Sequence, residues 1–145
     1  MLLQMVSFGV LFEVPEAEFK IITDFLEKVD NGPISKMWKP DSLIFFLIGQ
    51  PDRKRKGGRA YEMLYKITQL PKPEAEAGIK KYLQKWYDLH KDDPWYNTHI
   101  RDYGYSGYWA WEVAAVVKVM QLDDSGFKDD PFYPYDMVHW KDDAT

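Results

Sequence analysis

The chain has 145 residues, carries a net charge of −4 at neutral pH and is 46% hydrophobic, with aromatic residues making up 17% of the sequence. This length and hydrophobic content predict one folded domain and exclude a disordered chain, which requires low hydrophobicity and high net charge. The sequence contains no cysteine, which excludes disulfides and thiolate metal sites and favours the cytosol over an oxidising compartment.

Two helices are predicted at the N-terminal end. Met1–Phe12 is densely apolar and contains no basic residue, which predicts a helix and not an export signal. A second helix begins around Pro15, where proline and acidic residues suit a first turn, and Asn31-Gly32-Pro33 ends it. The apolar segments are too short for a membrane span of about 20 residues. We therefore expect a cytoplasmic protein that does not cross a membrane.

The next two segments are a short apolar run and a basic loop. Leu43–Ile48 predicts a buried helix capped by Asp41 or Ser42, although a short buried strand would show the same pattern. Residues 50–59 contain five basic side chains together with a proline and paired glycines, which predicts a polar loop. Because aromatic residues are not interleaved with the basic ones, we interpret this loop as solvated surface and not as a phosphate-binding site.

Two more helices follow the loop. Tyr61–Ile67 predicts a short helix that ends before Pro71 and Pro73, and Glu74–His90 is the clearest amphipathic helix of the chain. The inner face of this second helix is predicted to consist of Ala75, Ile79, Tyr82, Leu83, Trp86 and Leu89.

The C-terminal third supplies the predicted centre of the fold. Ser106–Met120 is apolar nearly all round, which predicts a buried, Trp-rich central helix. Beyond it, 123–125 suits a helix N-cap, whereas the two prolines in 131–135 prevent a continuous helix. Together the segments predict an all-α fold, with residues 1–145 forming a single compact multi-helix bundle or orthogonal array.

Several C-terminal motifs resemble one known protein family. They are Gly107–Lys118, Leu122–Ser125 and Pro131–Val138, preceded by Tyr82–Tyr87 and by the Trp95-Tyr96 pair. In this combination the chain is similar to the PoNi family, the immunity proteins of PoNe-type nuclease toxins, and specifically to its C-terminal domain.

The resemblance implies an all-helical bacterial immunity protein. Such a protein would occlude a DNase toxin that competing bacteria deliver, with type VI secretion as the expected route, and would protect the producing cell. Members of the family usually carry a further helical module upstream, which this sequence does not match. Met1–Phe12 is therefore expected to be an exposed docking face or a surface for self-association.

Acidic residues near the C-terminus are candidates for toxin binding. Residues 102–145 hold nine acidic and three basic side chains, so this region would attract a basic protein and disfavour direct nucleic-acid binding. The candidates are Asp123, Asp124, Asp129, Asp130 and Asp136, which could mimic DNA phosphates. The alternative is that Asp124 caps a helix, Asp129 and Asp130 are ordinary loop residues, and Asp136 forms an Asx turn.

Glu112 is the candidate buried ionisable residue, because a carboxylate within an apolar helix requires a hydrogen-bonding partner. We interpret it as structural, paired with a tyrosine, histidine or arginine, and expect no catalytic residue, metal or cofactor. His90, His99 and His139 are too widely spaced for a known metal motif. Two alternatives stay open: a metal-dependent hydrolase using Glu112, Asp136 and these histidines, and a structural helical domain that oligomerises.

Overall fold

A computed structural model of the chain describes residues 2–31, 40–90 and 109–142. These segments contain seven α-helices and no strand, which confirms the predicted all-α fold. The helices are α1 (Leu2–Leu11), α2 (Glu16–Asn31), α3 (Ser42–Leu47), α4 (Arg59–Thr68), α5 (Lys72–Leu89), α6 (Trp111–Met120) and α7 (Tyr135–Val138). None of the helices in the described segments is both long and apolar enough to span a membrane.

Helix α6 is the centre of the core, as predicted from its apolar sequence. Every side chain from Glu112 to Val117 is buried, and α1, α3, α4 and α7 all pack against this helix. A helix that is surrounded by other helices has no polar face, which explains why its sequence is apolar on all sides.

The central helix is shorter than predicted. It begins at Trp111, because Trp109 and Ala110 are not helical, and 106–108 lie outside the described residues. Trp109, which was predicted to lie within the buried helix, is 41% exposed, whereas Trp86 of α5 is buried as predicted. The non-helical start of this segment turns Trp109 toward solvent.

Helix α1 packs into the core through its inner side. The expectation that Met1–Phe12 forms an exposed docking face is therefore wrong for this side of the helix. Leu3, Val6 and Leu11 are buried, and α1 lies along α6. Gly9 permits the close approach of α2, because a Cβ at this position would lie 2.9 Å from a ring atom of Phe19. Self-association through this helix stays a prediction.

Helix α3 confirms the predicted helix over the alternative strand, and Asp41 is its N-cap. Oδ1 of Asp41 accepts a hydrogen bond of 3.0 Å from the backbone N–H of Ile44. Burial raises the pKa of Asp41, although the N-cap hydrogen bonds act in the opposite direction. Gly57 packs against this carboxylate so closely that a Cβ would clash with it.

The basic loop is more ordered than the sequence predicted. Arg53 forms ion pairs with Glu27 and Asp30 of α2, the second at 2.6 Å, and Arg55 also pairs with Asp30. The backbone N–H of Ser42 donates a 2.8 Å hydrogen bond to the carbonyl of Arg55. The loop is therefore solvent-exposed surface without regular structure, as interpreted from the sequence, and in addition its two arginines fasten α2 to the start of α3.

Helices α4 and α5 agree with the sequence prediction. Five of the six residues predicted for the inner face of α5 are buried, and the sixth, Leu89, is half-buried.

The predicted N-cap at 123–125 is wrong, because residues 122–134 form turns and irregular backbone and no helix begins there. Instead, Oδ1 of Asp123 accepts a 3.0 Å hydrogen bond from the backbone N–H of Ser125 in an Asx turn.

Candidate protein-binding site

An open groove of about 680 Å³ lies between the start of α6 and the C-terminal segment. It is lined by Trp109, Trp111 and the two stretches 128–131 and 133–137. Three of the five predicted toxin-binding residues, Asp129, Asp130 and Asp136, lie in this lining. The structure therefore brings these three acids together beside two indole rings.

Local hydrogen bonds fix the walls of the groove. Oδ1 of Asp130 accepts a 2.9 Å bond from the backbone N–H of Phe132, which forms an Asx turn between the two lining stretches. The backbone N–H of Ala110 donates to the carbonyl of Phe132 at 2.8 Å. The Phe132 ring packs on Trp86 with ring centroids 5.1 Å apart. These contacts join the opposite walls of the groove to each other and to the core.

The lining combines negative charge with aromatic surface. Asp129 and Asp136 are exposed and Asp130 is half-buried, while Lys128 is the one basic residue of the lining. The Lys128 ammonium lies 5.5 Å from the centroid of the Tyr135 ring. Carboxylates beside aromatic rings favour a cationic ligand, because both attract positive charge.

The remaining two predicted acids, Asp123 and Asp124, lie outside the groove lining. Asp123 is exposed, and its backbone N–H donates to Oε2 of Glu76 at 2.8 Å. Hydrogen bonds from Ser125 lower the pKa of Asp123. Asp124 is only 6% exposed, so the unbound chain does not present its carboxylate to a partner.

Asp124 is the centre of a hydrogen-bonded cluster that includes Tyr133 of the groove lining and that the sequence does not predict. Its Oδ2 accepts a 2.8 Å bond from the Tyr133 hydroxyl and lies 2.7 Å from Nε2 of His139. The other ring nitrogen of His139 lies 2.5 Å from Oδ2 of Asp142, and the Tyr135 ring stacks on the imidazole. No short motif joins these residues, so the sequence offered little signal for them.

The ionisation of this cluster follows from its contacts. Partial burial lowers the pKa of His139, but its hydrogen bonds with Asp124 and Asp142 outweigh this effect, so that the net shift is upward. Burial, followed by the hydrogen bond to Asp124, raises the pKa of the Tyr133 hydroxyl far above its ordinary value. The contacts with the two carboxylates therefore favour the protonated form of His139, and burial favours the neutral form of Tyr133.

Glu112 lies in the interior, 7% exposed, where the sequence placed it. Its Oε1 accepts a 2.7 Å hydrogen bond from the indole N–H of Trp86, and Nε2 of His90 lies 3.9 Å away. Burial, and then the nearby Glu112 charge, raises the pKa of Tyr82 well above its ordinary value. The sequence predicts a tyrosine, histidine or arginine partner for Glu112; His90 agrees with this prediction, whereas the indole of Trp86 is a partner that the sequence does not indicate.

The hydrolase alternative requires a cluster of metal ligands. Within residues 2–31, 40–90 and 109–142, no group of three histidine or acidic side chains is arranged to hold a metal ion. Glu112 is bonded to Trp86 in the interior, whereas Asp136 is exposed in the groove, and His99 lies outside the described residues. The described residues thus supply no site for this chemistry.

Comparison with known proteins identifies the family. The family model described as PoNe immunity proteins (PoNi), C-terminal, matches residues 40–137, which is more than half of the chain and includes the entire groove lining. Comparison with curated proteins gave no match, and comparison with solved structures gave none either. The chain therefore belongs to the PoNi family, whose members are immunity proteins against PoNe nuclease toxins.

Proposed function

We propose that this protein binds and neutralises its cognate PoNe-type DNase by covering the surface with which the toxin binds DNA. The observation that supports this best is the groove, which places Asp129, Asp130 and Asp136 beside the indoles of Trp109 and Trp111. Aromatic residues are enriched at the centres of protein interfaces, where a few of them supply most of the binding energy.

Charge explains why a DNase would accept such a partner. A nuclease binds the DNA backbone through lysine and arginine side chains, and these side chains provide much of its affinity. Carboxylates on the immunity protein can occupy the positions of phosphates, so a complex would exclude DNA without any chemical reaction. The protein would thus act as a stoichiometric inhibitor and not as an enzyme, in the cytoplasm where the DNA is found.

A DNA-cleavage assay tests this function. The purified full chain is titrated against its cognate PoNe-type toxin, and cleavage of plasmid DNA is measured at each molar ratio. We expect cleavage to stop at a fixed stoichiometry, with a stable complex on size-exclusion chromatography, because inhibition by occlusion requires one inhibitor for each toxin site.

An unrelated DNase serves as the control in the same assay. It should remain active at every ratio, which separates toxin binding from sequestration of the DNA. Undiminished cleavage by the cognate toxin in the presence of excess protein, with no complex formed, would contradict the proposed function.

A further inference from the structure

We infer that the groove is the receptor for an arginine side chain of the toxin, which inserts between the indole walls and the acidic rim. This inference rests on the proposed function and specifies the chemistry of the contact. It also divides the predicted acids, because Asp129 and Asp136 would contact the arginine whereas Asp123 would not.

The aromatic walls of the groove are held in place before any partner binds. Trp109 is 41% exposed, and its ring centroid lies 6.2 Å from that of Trp111. Trp111 is half-buried and packs edge-on against Phe8 of α1, with centroids 5.0 Å apart. A large exposed aromatic ring that contacts a half-buried one marks an interaction surface.

The groove already holds one cation of its own. Lys128 extends over the Tyr135 ring, with the ammonium 5.5 Å from the ring centroid, and it partly offsets the three carboxylates of the lining. This contact shows that the lining can accommodate positive charge against an aromatic face. A cation of the partner would compete with Lys128 for the same carboxylates and aromatic rings, so removal of this lysine should strengthen binding of the partner.

The combination of rings and carboxylates favours arginine over lysine. A guanidinium group is planar and weakly hydrated, so it stacks on an indole face while its N–H groups bond a carboxylate in a bidentate arrangement. A lysine ammonium is compact and strongly hydrated, and it cannot make both contacts with the same geometry. The basic, DNA-binding surface of a nuclease supplies arginine side chains of this kind.

An aromatic band extends this surface beyond the groove. The Phe8 ring, which packs on Trp111, also lies 5.9 Å from the ring of Phe12. Phe12 and Trp140 are 45% and 42% exposed, and their rings are 6.4 Å apart. The band connects the groove to the end of α1 and provides apolar surface that would exclude water around the arginine contact.

Variants of the full chain test the inference by their dissociation constants for the cognate toxin. Trp109→Ala and the double variant Asp129→Asn/Asp136→Asn should each weaken binding at least about thirtyfold, the threshold for an interface hot spot. Lys128→Gln should strengthen binding. Asp123→Asn removes the same type of charge outside the groove and should change the constant less than about twofold. Thermal melting of each variant confirms that it is folded.

A second measurement distinguishes arginine from lysine. The fluorescence of the native protein is titrated with hexa-arginine and with hexa-lysine at low salt, and the Trp109→Ala variant is titrated in parallel. Hexa-arginine should bind more tightly than hexa-lysine and should lose that advantage in the variant. Equal binding of the two peptides by the native protein would overturn the choice of arginine.

The outcomes separate this inference from the proposed function. If the native chain fails to inhibit the toxin, the proposed function and the inference both fall. If the native chain inhibits the toxin while the groove variants bind like Asp123→Asn, the function stands and the arginine receptor is overturned. Weaker binding by Lys128→Gln would also contradict the competition that the inference requires.

Discussion

Glu112 shows how one charged residue can be accommodated in an apolar core. It lies on the central helix α6, and one of its carboxylate oxygens accepts a 2.7 Å hydrogen bond from the indole N–H of Trp86. An indole is an efficient partner for this purpose, because it donates a hydrogen bond while the rest of the ring adds apolar contact area. The pair therefore joins α5 to α6 without introducing a second formal charge.

We predict that Glu112→Ala will lower the free energy of unfolding by about 3 kcal/mol, because it leaves the buried Trp86 N–H without its acceptor and creates a cavity. Urea denaturation followed by tryptophan fluorescence measures this change. Glu112→Gln is the matched control and should cost much less, since the amide oxygen still accepts the bond. If the two variants are equally stable, the hydrogen bond does not hold the helices together.

Neighbouring acids show where prediction from sequence succeeds and where it stops. A cap at Asp41 or Ser42 could be predicted because capping depends on residues only three positions apart, and the structure selects Asp41. Asp123 and Asp124 look equivalent in the sequence, yet one is exposed and the other is buried. The partners of Asp124 are nine and fifteen residues away, beyond the range of local patterns. Charge reversal at Asp124 would therefore disrupt this cluster and would not test the surface.

At the level of helices, periodicity was most informative where one face is exposed. Helix α5 alternates polar and apolar faces, so its inner residues could be named in advance. The first residue of α6 could not be predicted in this way, because Trp109 and Ala110 continue the apolar pattern although they are not helical. The order of the basic loop was also missed, because the pairs of Arg53 and Arg55 with α2 join residues 23 to 26 positions apart.

Besides the 2.7 Å ion pair between Lys141 and Glu13, two further side-chain contacts fasten the segment around α7 to the fold. The indole N–H of Trp140 donates a 2.7 Å bond to the carbonyl of Leu11, at the end of α1, where Lys118 also donates at 3.2 Å. His139 provides the second through its contacts with Asp124 and Asp142. Because α7 has only four residues, these side-chain contacts and not its own backbone bonds hold this wall of the groove.

The His139 contact predicts a pH-dependent stability. The pKa of His139 is raised above its ordinary value of 6.5, so the stabilisation is fully present below about pH 6.5 and is lost as the pH rises through the raised pKa. We expect the difference in unfolding free energy between the native chain and His139→Gln to be larger near pH 5.5 than near pH 8.5, approximate values on either side of an ordinary histidine pKa.

Urea midpoints at the two pH values measure this difference. Lys128→Gln, which removes an exposed charge of the same wall, serves as the control and should show no comparable change with pH. If the difference in unfolding free energy between the native chain and His139→Gln is the same at both pH values, protonation of His139 beside the carboxylates does not stabilise the fold.

Across the whole molecule, the helical core acts as a scaffold for one asymmetric surface. The groove lining comes entirely from 109–137, so its acidic and aromatic composition was visible in the sequence. The shape of the groove could not be predicted from the sequence, because this shape depends on the contact of Trp111 with Phe8 of α1 and on the turn that Asp130 closes. The lysines on the outer face of α5, Lys80, Lys81 and Lys85, are exposed. The exposed lysines of α5 and the carboxylates of the groove therefore lie on different elements, and such a charge distribution can orient an approaching partner.

This charge separation predicts that salt will affect the association rate more than the dissociation rate. Stopped-flow fluorescence should show that the rate constant for binding the toxin falls about tenfold between low and physiological salt, because added ions screen the long-range attraction. Reversal of charge in Asp129→Lys/Asp136→Lys should lower the rate at low salt and flatten its salt dependence.

The exposed residue Asp52, beside the basic loop and outside the groove, provides a control. Asp52→Lys adds positive charge without altering the groove, so it tests net charge against local charge. The single variant Asp129→Lys changes the net charge by the same amount and is measured alongside. If Asp52→Lys slows association as much as Asp129→Lys, the net charge of the protein determines the association rate. If Asp52→Lys associates with the toxin about as fast as the native chain, the groove carboxylates and not the net charge attract the toxin, because only a change of charge in the groove then alters the association rate.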